Sequence, residues 1–167
     1  MSKIAMDLKW KKWIPVLLWI LWMSVIFAYS AKTATQSTVQ SNRVGKMLCS
    51  VFVSGYRDMP SEAQLKMAES IDFFVRKSAH FLEYTILGVL TVWAMGQSKR
   101  LKGRLFWVSL LWCILYAVSD ETHQFFVPGR ACKASDMVLD SAGALFGIIM
   151  ILLPVWLKSI RKKETEE

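Results

Sequence analysis

The sequence predicts an all-α membrane protein, a four-transmembrane-helix bundle with an amphipathic helical segment between its first and second spans. Three observations carry this expectation. The chain is 54% hydrophobic over 167 residues, too apolar for a soluble domain of that size. Four stretches approach the length of about 20 mostly apolar residues that crosses a bilayer. The basic residues are clumped beside those stretches instead of being spread over a solvated surface.

The spans read as about 13–31, 75–96, 105–124 and 137–157, within a single domain covering 1–167. Lys3, Lys9, Lys11 and Lys12 precede the first. Lys99, Arg100, Lys102 and Arg104 separate the second from the third, and Lys158, Arg161, Lys162 and Lys163 follow the fourth. These clusters hold twelve of the 21 basic residues. Under the positive-inside rule, their alternation places both termini and the 98–104 loop in the cytoplasm, with segments 32–74 and 125–136 outside. The same rule accounts for the net charge of +8, so membrane lipids are the expected partners and nucleic acid is not. Trp10, Trp13 and Trp156, near span ends, suit interfacial anchoring. A competing reading makes the first stretch a signal peptide cleaved near Ala28-Tyr29-Ser30. Its length and tryptophan content favour a retained span.

Between the first two spans, Val44, Met47, Leu48, Val51 and Phe52 follow helical spacing, with Arg43, Lys46 and Ser50 on the other face. That pattern predicts a helix able to lie on the membrane surface. Gly55 to Pro60 reads as a break, and Ser61 with Gln64 has the form of a capping box opening a further helix. Cys113 lies in an apolar run and reads as packing. Cys49 and Cys132 both fall in outer segments, where a disulfide between them is conceivable.

The informative residues sit at the outer ends of the last three spans. Arg76, Lys77, His80, Glu83 and Tyr84 recur at steps of three and four, which puts them on one broad helix face. Tyr116, Asp120, His123 and Gln124 share a face of the third span, with Ser119 and Glu121 beside them, before Val127-Pro128-Gly129-Arg130 turns the chain. The fourth span opens with Asp136 and Asp140 one turn apart and continues through Gly143 and Gly147. A charge toward the bilayer centre costs at least about 2.5 kcal/mol. The ionisable groups should therefore face inward and pair, with Arg76, Lys77 and Arg130 against Glu83, Asp120, Glu121, Asp136 and Asp140.

The expectation is a shallow outer-leaflet pocket built from the ends of spans two, three and four. His80, Glu83, Asp120, Glu121 and His123 are its candidate acids and bases. Lys77, Tyr84, Gln124, Arg130, Asp136 and Asp140 are its candidate ligand-binding groups. The plainer alternative is a salt-bridge network that only fixes helix register. Asp136 and Asp140 at i+4, with His80, Glu83 or His123, offer oxygen and nitrogen to a cation. No dedicated spacing such as H-E-x-x-H is present, so neither a metal nor a cofactor is expected. Gly143 and Gly147 read as internal helix packing.

These motifs resemble the VanZ-like family of bacterial membrane proteins. Lys77-x-x-His80-Phe81-x-Glu83-Tyr84 with Leu87-Gly88 is similar to the family's second span, and Glu121-x-x-Gln124 followed by Arg130 to the end of its third. Asp136-x-x-x-Asp140-x-x-Gly143-x-x-x-Gly147 is similar to the fourth, and Ser30 after the first span also fits. Asp140 departs from the pattern, which commonly has asparagine there. The resemblance implies a multi-pass protein of the bacterial cytoplasmic membrane with a link to the cell envelope. The family's namesake raises resistance to teicoplanin and related lipoglycopeptides.

Two functions follow as expectations. In one, the pocket binds a lipid-linked cell-wall precursor or a lipoglycopeptide, with Lys77 and Arg130 meeting phosphate or carboxylate. In the other, the protein is a hydrolase or transferase acting on an envelope lipid, with His80 or His123 and Glu83 or Asp120 as acid and base. The chain carries no nucleophile elbow or P-loop. A transporter needs polar groups through the full membrane thickness, and the inner halves of these spans are apolar.

Overall fold

A computed structural model describes residues 3–101 and 103–164. Lys102 and the side chains of Lys3, Lys9, Trp10, Lys11 and Lys163, which the orientation argument uses, lie outside the described residues. Among the described residues the chain is helical throughout: α1 Lys3–Ser30, α2 Ala34–Phe52, α3 Ser61–Ser70, α4 Asp72–Met95, α5 Leu105–Gln124 and α6 Ala134–Glu164. Stretches of α1, α5 and α6 are long and apolar enough to cross a membrane: Lys12–Ser30, Leu105–Gln124 and Ala134–Lys162. Their outward side chains, such as Leu17, Leu111, Trp107 and Val155, are more than half exposed, a surface suited to lipid and costly in water.

Helix α4 packs against α1, α5 and α6. It runs for 24 residues, but Arg76, Lys77 and Glu83 in its first half keep it from being continuously apolar. Its second half buries Leu87, Gly88, Thr91 and Val92. A core of Ile26, Tyr84, Leu87, Val92, Cys113, Ala117, Ala144 and Ile148 joins the four helices. Polar anchors tie α1 into this core. The Trp19 indole donates to Thr91 Oγ1 at 2.9 Å, the Trp22 indole to the Glu83 carbonyl at 2.9 Å, and the Tyr116 hydroxyl of α5 to the Met23 carbonyl at 2.6 Å.

The α4–α6 contact is set by small residues. A Cβ added at Gly143 would lie 2.4 Å from the Phe81 carbonyl oxygen, and one at Gly147 would lie 2.1 Å from that of Thr85. The pair therefore serves internal packing, the role expected of it. Such close backbone approach is the usual device where lipid supplies no hydrophobic drive between helices.

The segment between α1 and α4 folds as a helical hairpin. Helix α2 opens on a capping box that the sequence reading overlooked. Thr33 Oγ1 accepts from Gln36 N–H at 3.3 Å, and Gln36 Oε1 accepts from Thr33 N–H at 3.1 Å. The box expected at Ser61 and Gln64 is absent. Ser61 is the first helical residue, Pro60 caps α3 without a side-chain bond, and Gln64 Nε2 donates instead to the Met59 carbonyl at 3.0 Å. The break between the helices pivots on Gly55, whose φ of 73° is the left-handed conformation that glycine adopts freely.

Helix α2 packs inward through Ser41, Gly45 and Cys49, which recur every four residues, with Gly45 against Ala68 of α3. Met47, Val51 and Phe52 are left exposed. The Ser41 hydroxyl bonds to Asp72 at the start of α4. Cys49 is buried in that packed face and Cys132 is exposed in the loop before α6. Both thiols are free, so the conceivable disulfide does not form.

Candidate functional site

The first half of α4 carries two adjoining stripes. Lys77 and His80 face α6, with Tyr84 one turn further along the same stripe, while Arg76, Ala79 and Glu83 line the cavity, because steps of three and four residues stay on one helix face. Along the first stripe, Lys77 forms an ion pair with Asp136, and His80 Nδ1 lies 3.2 Å from Asp140 Oδ1. Ser135 also donates to Asp136, at 3.0 Å. Asp140 is completely buried, and its Oδ2 has no hydrogen-bond partner among the described residues. The Tyr84 hydroxyl, also completely buried, has none either.

Gln124 is the hub of the α5 end. Its Nε2 donates to Asp120 Oδ2 at 3.3 Å and to Glu121 Oε1 at 3.1 Å, while its Oε1 accepts from Arg130 Nη1 at 3.3 Å. One amide thus links two buried carboxylates to a guanidinium, a task that needs both a donor and an acceptor on the same side chain. Arg130 Nε donates to the Lys32 carbonyl at 3.2 Å. The Lys133 N–H donates to Glu121 Oε2 at 3.0 Å, tying the loop before α6 to α5. Burial, and after it the nearby Arg76, lowers the pKa of the Arg130 guanidinium. Arginine starts so high that the group remains a cation at neutral pH.

A cavity of about 330 Å³ opens beside this network. One wall is apolar, with Ile26, Val44, Leu48, Val75 and Leu82. The other is polar, with His80, Glu83, Asp120, Gln124, Arg76 and Arg130. Lys32 also reaches the cavity; its Nζ donates to Gln40 Oε1 at 2.7 Å and sits 3.9 Å from the Tyr29 ring centroid. Arg76 lies 3.8 Å from Asp72.

The lining therefore comes from α1, the α1–α2 turn, α2, α4, α5 and the α5–α6 loop, not from the expected ends of spans two, three and four alone. Helix α6 contributes nothing to it. Lys77, Tyr84, Glu121, Asp136 and Asp140 lie outside the lining, in the adjoining α4–α6 network and its Glu121 neighbour. His123 stands apart from both, its ring 4.4 Å from that of Phe27. Sequence reasoning missed Lys32 and the α2 wall. The available signal for Lys32 was its position, since a lysine just outside a span runs against the charge bias of the rest of the chain.

Fold and site together define a helical membrane protein in which a partly apolar cavity adjoins a buried network of acids, bases and an amide. The chain belongs to the VanZ/LLP1 family, whose model matches residues 15–157. No curated protein and no solved structure matches the chain. The match spans α1 through α6 and so takes in every residue of the network and the cavity.

Proposed function

We propose that this is a four-span protein of the bacterial cytoplasmic membrane, both termini cytoplasmic, whose outer-leaflet cavity binds the anionic head of an envelope lipid or lipidated compound. In this arrangement α4 is the second span, and α2 lies in the interface with Met47, Val51 and Phe52 toward the acyl chains. The observation that carries the reading is the two-sided cavity. Its apolar wall suits a lipid tail, and two of its cations, Lys32 and Arg130, have only neutral oxygens as hydrogen-bond partners. Phosphate or carboxylate between them gains charge-assisted bonds without breaking an ion pair. Membership of the family supports the further reading that the ligand is a lipid-linked cell-wall precursor or a teicoplanin-type lipoglycopeptide.

The test is binding to the full-length protein in nanodiscs, with a polyprenyl phosphate, phosphatidylglycerol, the corresponding uncharged polyprenol and teicoplanin as probes. The reading expects a preference of at least tenfold for an anionic amphiphile over the polyprenol, lost in Arg130→Ala. Equal binding of charged and uncharged lipids would sink it.

One observation favours a second reading, a hydrolase or transferase at the same place. His80 lines the cavity while Asp140, behind it, holds the ring, as an orienting acid holds a general base. Conversion of a bound lipid by wild type, abolished in His80→Gln at equal membrane level, is its expected signature.

A further inference from the structure

We propose that His80, Glu121 and Asp140 hold a divalent transition-metal ion, with zinc the best fit, behind the polar wall of the cavity. The inference does not depend on the lipid reading. Each of the three residues offers one ligand atom, and these atoms all lie within 4.8 Å of one another. Bonds of about 2.0–2.1 Å to a tetrahedral zinc put two ligands roughly 3.3 Å apart. The His80 Nδ1 to Asp140 Oδ1 separation of 3.2 Å already has that value. A modest inward movement of Glu121 completes a set of one imidazole and two carboxylates. Three protein ligands with one position left open is the arrangement of catalytic rather than structural zinc.

Charge supports the same conclusion independently. Glu121 and Asp140 are 0% exposed and Asp120 is 4% exposed. Among the described residues His80 is the one ion-pair partner of Asp140, and Asp120 and Glu121 have none. These three carboxylates have one imidazole in direct contact and reach Arg130 only through the Gln124 amide, a balance that a further cation would complete. Within the proposed ligand set, Asp140 Oδ2 is fully buried and without a partner, a polar atom that such a cation would satisfy. Glu121 is also held as metal-bound carboxylates are held, by hydrogen bonds from Gln124 and from the Lys133 backbone. Each carboxylate oxygen keeps a second lone pair for the ion. As the nitrogen–metal bond forms, the proton shared by His80 and Asp140 leaves to solvent.

The experiment is zinc titration of the full-length protein, purified in detergent and stripped with chelator, followed by calorimetry, metal analysis and X-ray absorption. One equivalent should bind, with an absorption shell of one imidazole nitrogen, carboxylate oxygens and no sulfur. His80→Gln, Glu121→Gln and Asp140→Asn should each weaken binding by more than the roughly 10–100-fold typical of losing an outer partner. Cys132→Ser, which removes an exposed thiol, should leave it unchanged. Absence of binding, a sulfur shell, loss of zinc in Cys132→Ser, or full affinity in all three ligand variants overturns the proposal. Should the variants fail to fold, the absorption shell of the wild-type protein decides.

Discussion

His80 and Asp140 meet at 3.2 Å across the α4–α6 contact, beside the point where Gly143 lies against the Phe81 carbonyl. The close backbone approach and the polar pair are parts of one arrangement, because the glycines bring the helices near enough for the imidazole to reach the carboxylate. Asp140 is fully buried and His80 only partly so, so the acid depends on the base more than the reverse. His80→Ala leaves a buried carboxylate without its partner, a change that costs about 3–5 kcal/mol when a buried pair is broken. Asp140→Asn keeps a polar group of the same shape and should cost less. The check is unfolding in detergent by a denaturant series. Equal losses in the two variants contradict the asymmetry.

Gly147→Ala should loosen the α4–α6 contact, because its new Cβ would stand 2.1 Å from the Thr85 carbonyl oxygen, and backbone cannot move aside as a flexible side chain does. Overpacking of this kind costs about 1–3 kcal/mol. The same substitution at Gly103, where nothing lies within 4 Å, should leave thermal stability within error. A neutral Gly147→Ala would show that the helices are less closely engaged than described.

Gln124→Leu removes the donor shared by Asp120 and Glu121 and the acceptor of Arg130. Buried groups left unsatisfied cost about 1–3 kcal/mol each, so a loss of at least that size is expected in a detergent melt. Binding of an anionic lipid should fall together with stability, because Arg130 is no longer held at the cavity wall. Unchanged lipid affinity in a folded Gln124→Leu protein would place the binding determinants elsewhere.

Lys77 and Asp136 form an ion pair near the N-terminal ends of α4 and α6, with side chains 26% and 16% exposed. Neither group is fully withdrawn from water, so breaking the pair should cost less than the roughly 3–5 kcal/mol of a fully buried one. Lys77→Ala and Asp136→Ala should each be mild, and the exchanged pair Lys77→Asp with Asp136→Lys should recover part of the loss. Severe destabilisation in either single variant would give the pair a larger role than its exposure suggests.

The proposed orientation makes Cys132 reachable from outside the cell. A membrane-impermeant maleimide should label it in intact cells, whereas buried Cys49 and Cys113 should react only after denaturation. Mobility on a gel should be identical with and without reductant, since the thiols are free. Labelling of Cys132 only after the membrane is opened reverses the topology.

Helical class, the apolar stretches and the segregation of polar groups to one end of the chain's helices are local properties, readable from spacing. A step of three or four residues returns a side chain to the same face whatever surrounds the helix. For that reason Lys77, His80 and Tyr84 could be grouped in advance, as could Asp136 with Asp140, and the Gly143–Gly147 stripe could be assigned to packing. The Ser61 box failed as a prediction because Pro60, not Ser61, takes the cap position. The apolar stripe of α2 could be seen, but not that Ser41, Gly45 and Cys49 would be the face that packs.

What only the tertiary structure decided is which face meets which. Helical spacing leaves the rotation of each helix about its axis, and its height against its neighbours, undetermined until the backbones touch. Gly143 and Gly147 settle both for α4 and α6. That registration sends Lys77 to Asp136 and His80 to Asp140, and it leaves Glu121 of α5 beside His80 where the sequence reading had offered Asp136. The cavity needed a further non-local fact, the return of the chain through Lys32 and α2 alongside α4, which puts Lys32 and Leu48 into a wall that spacing within α4, α5 and α6 contains no information about.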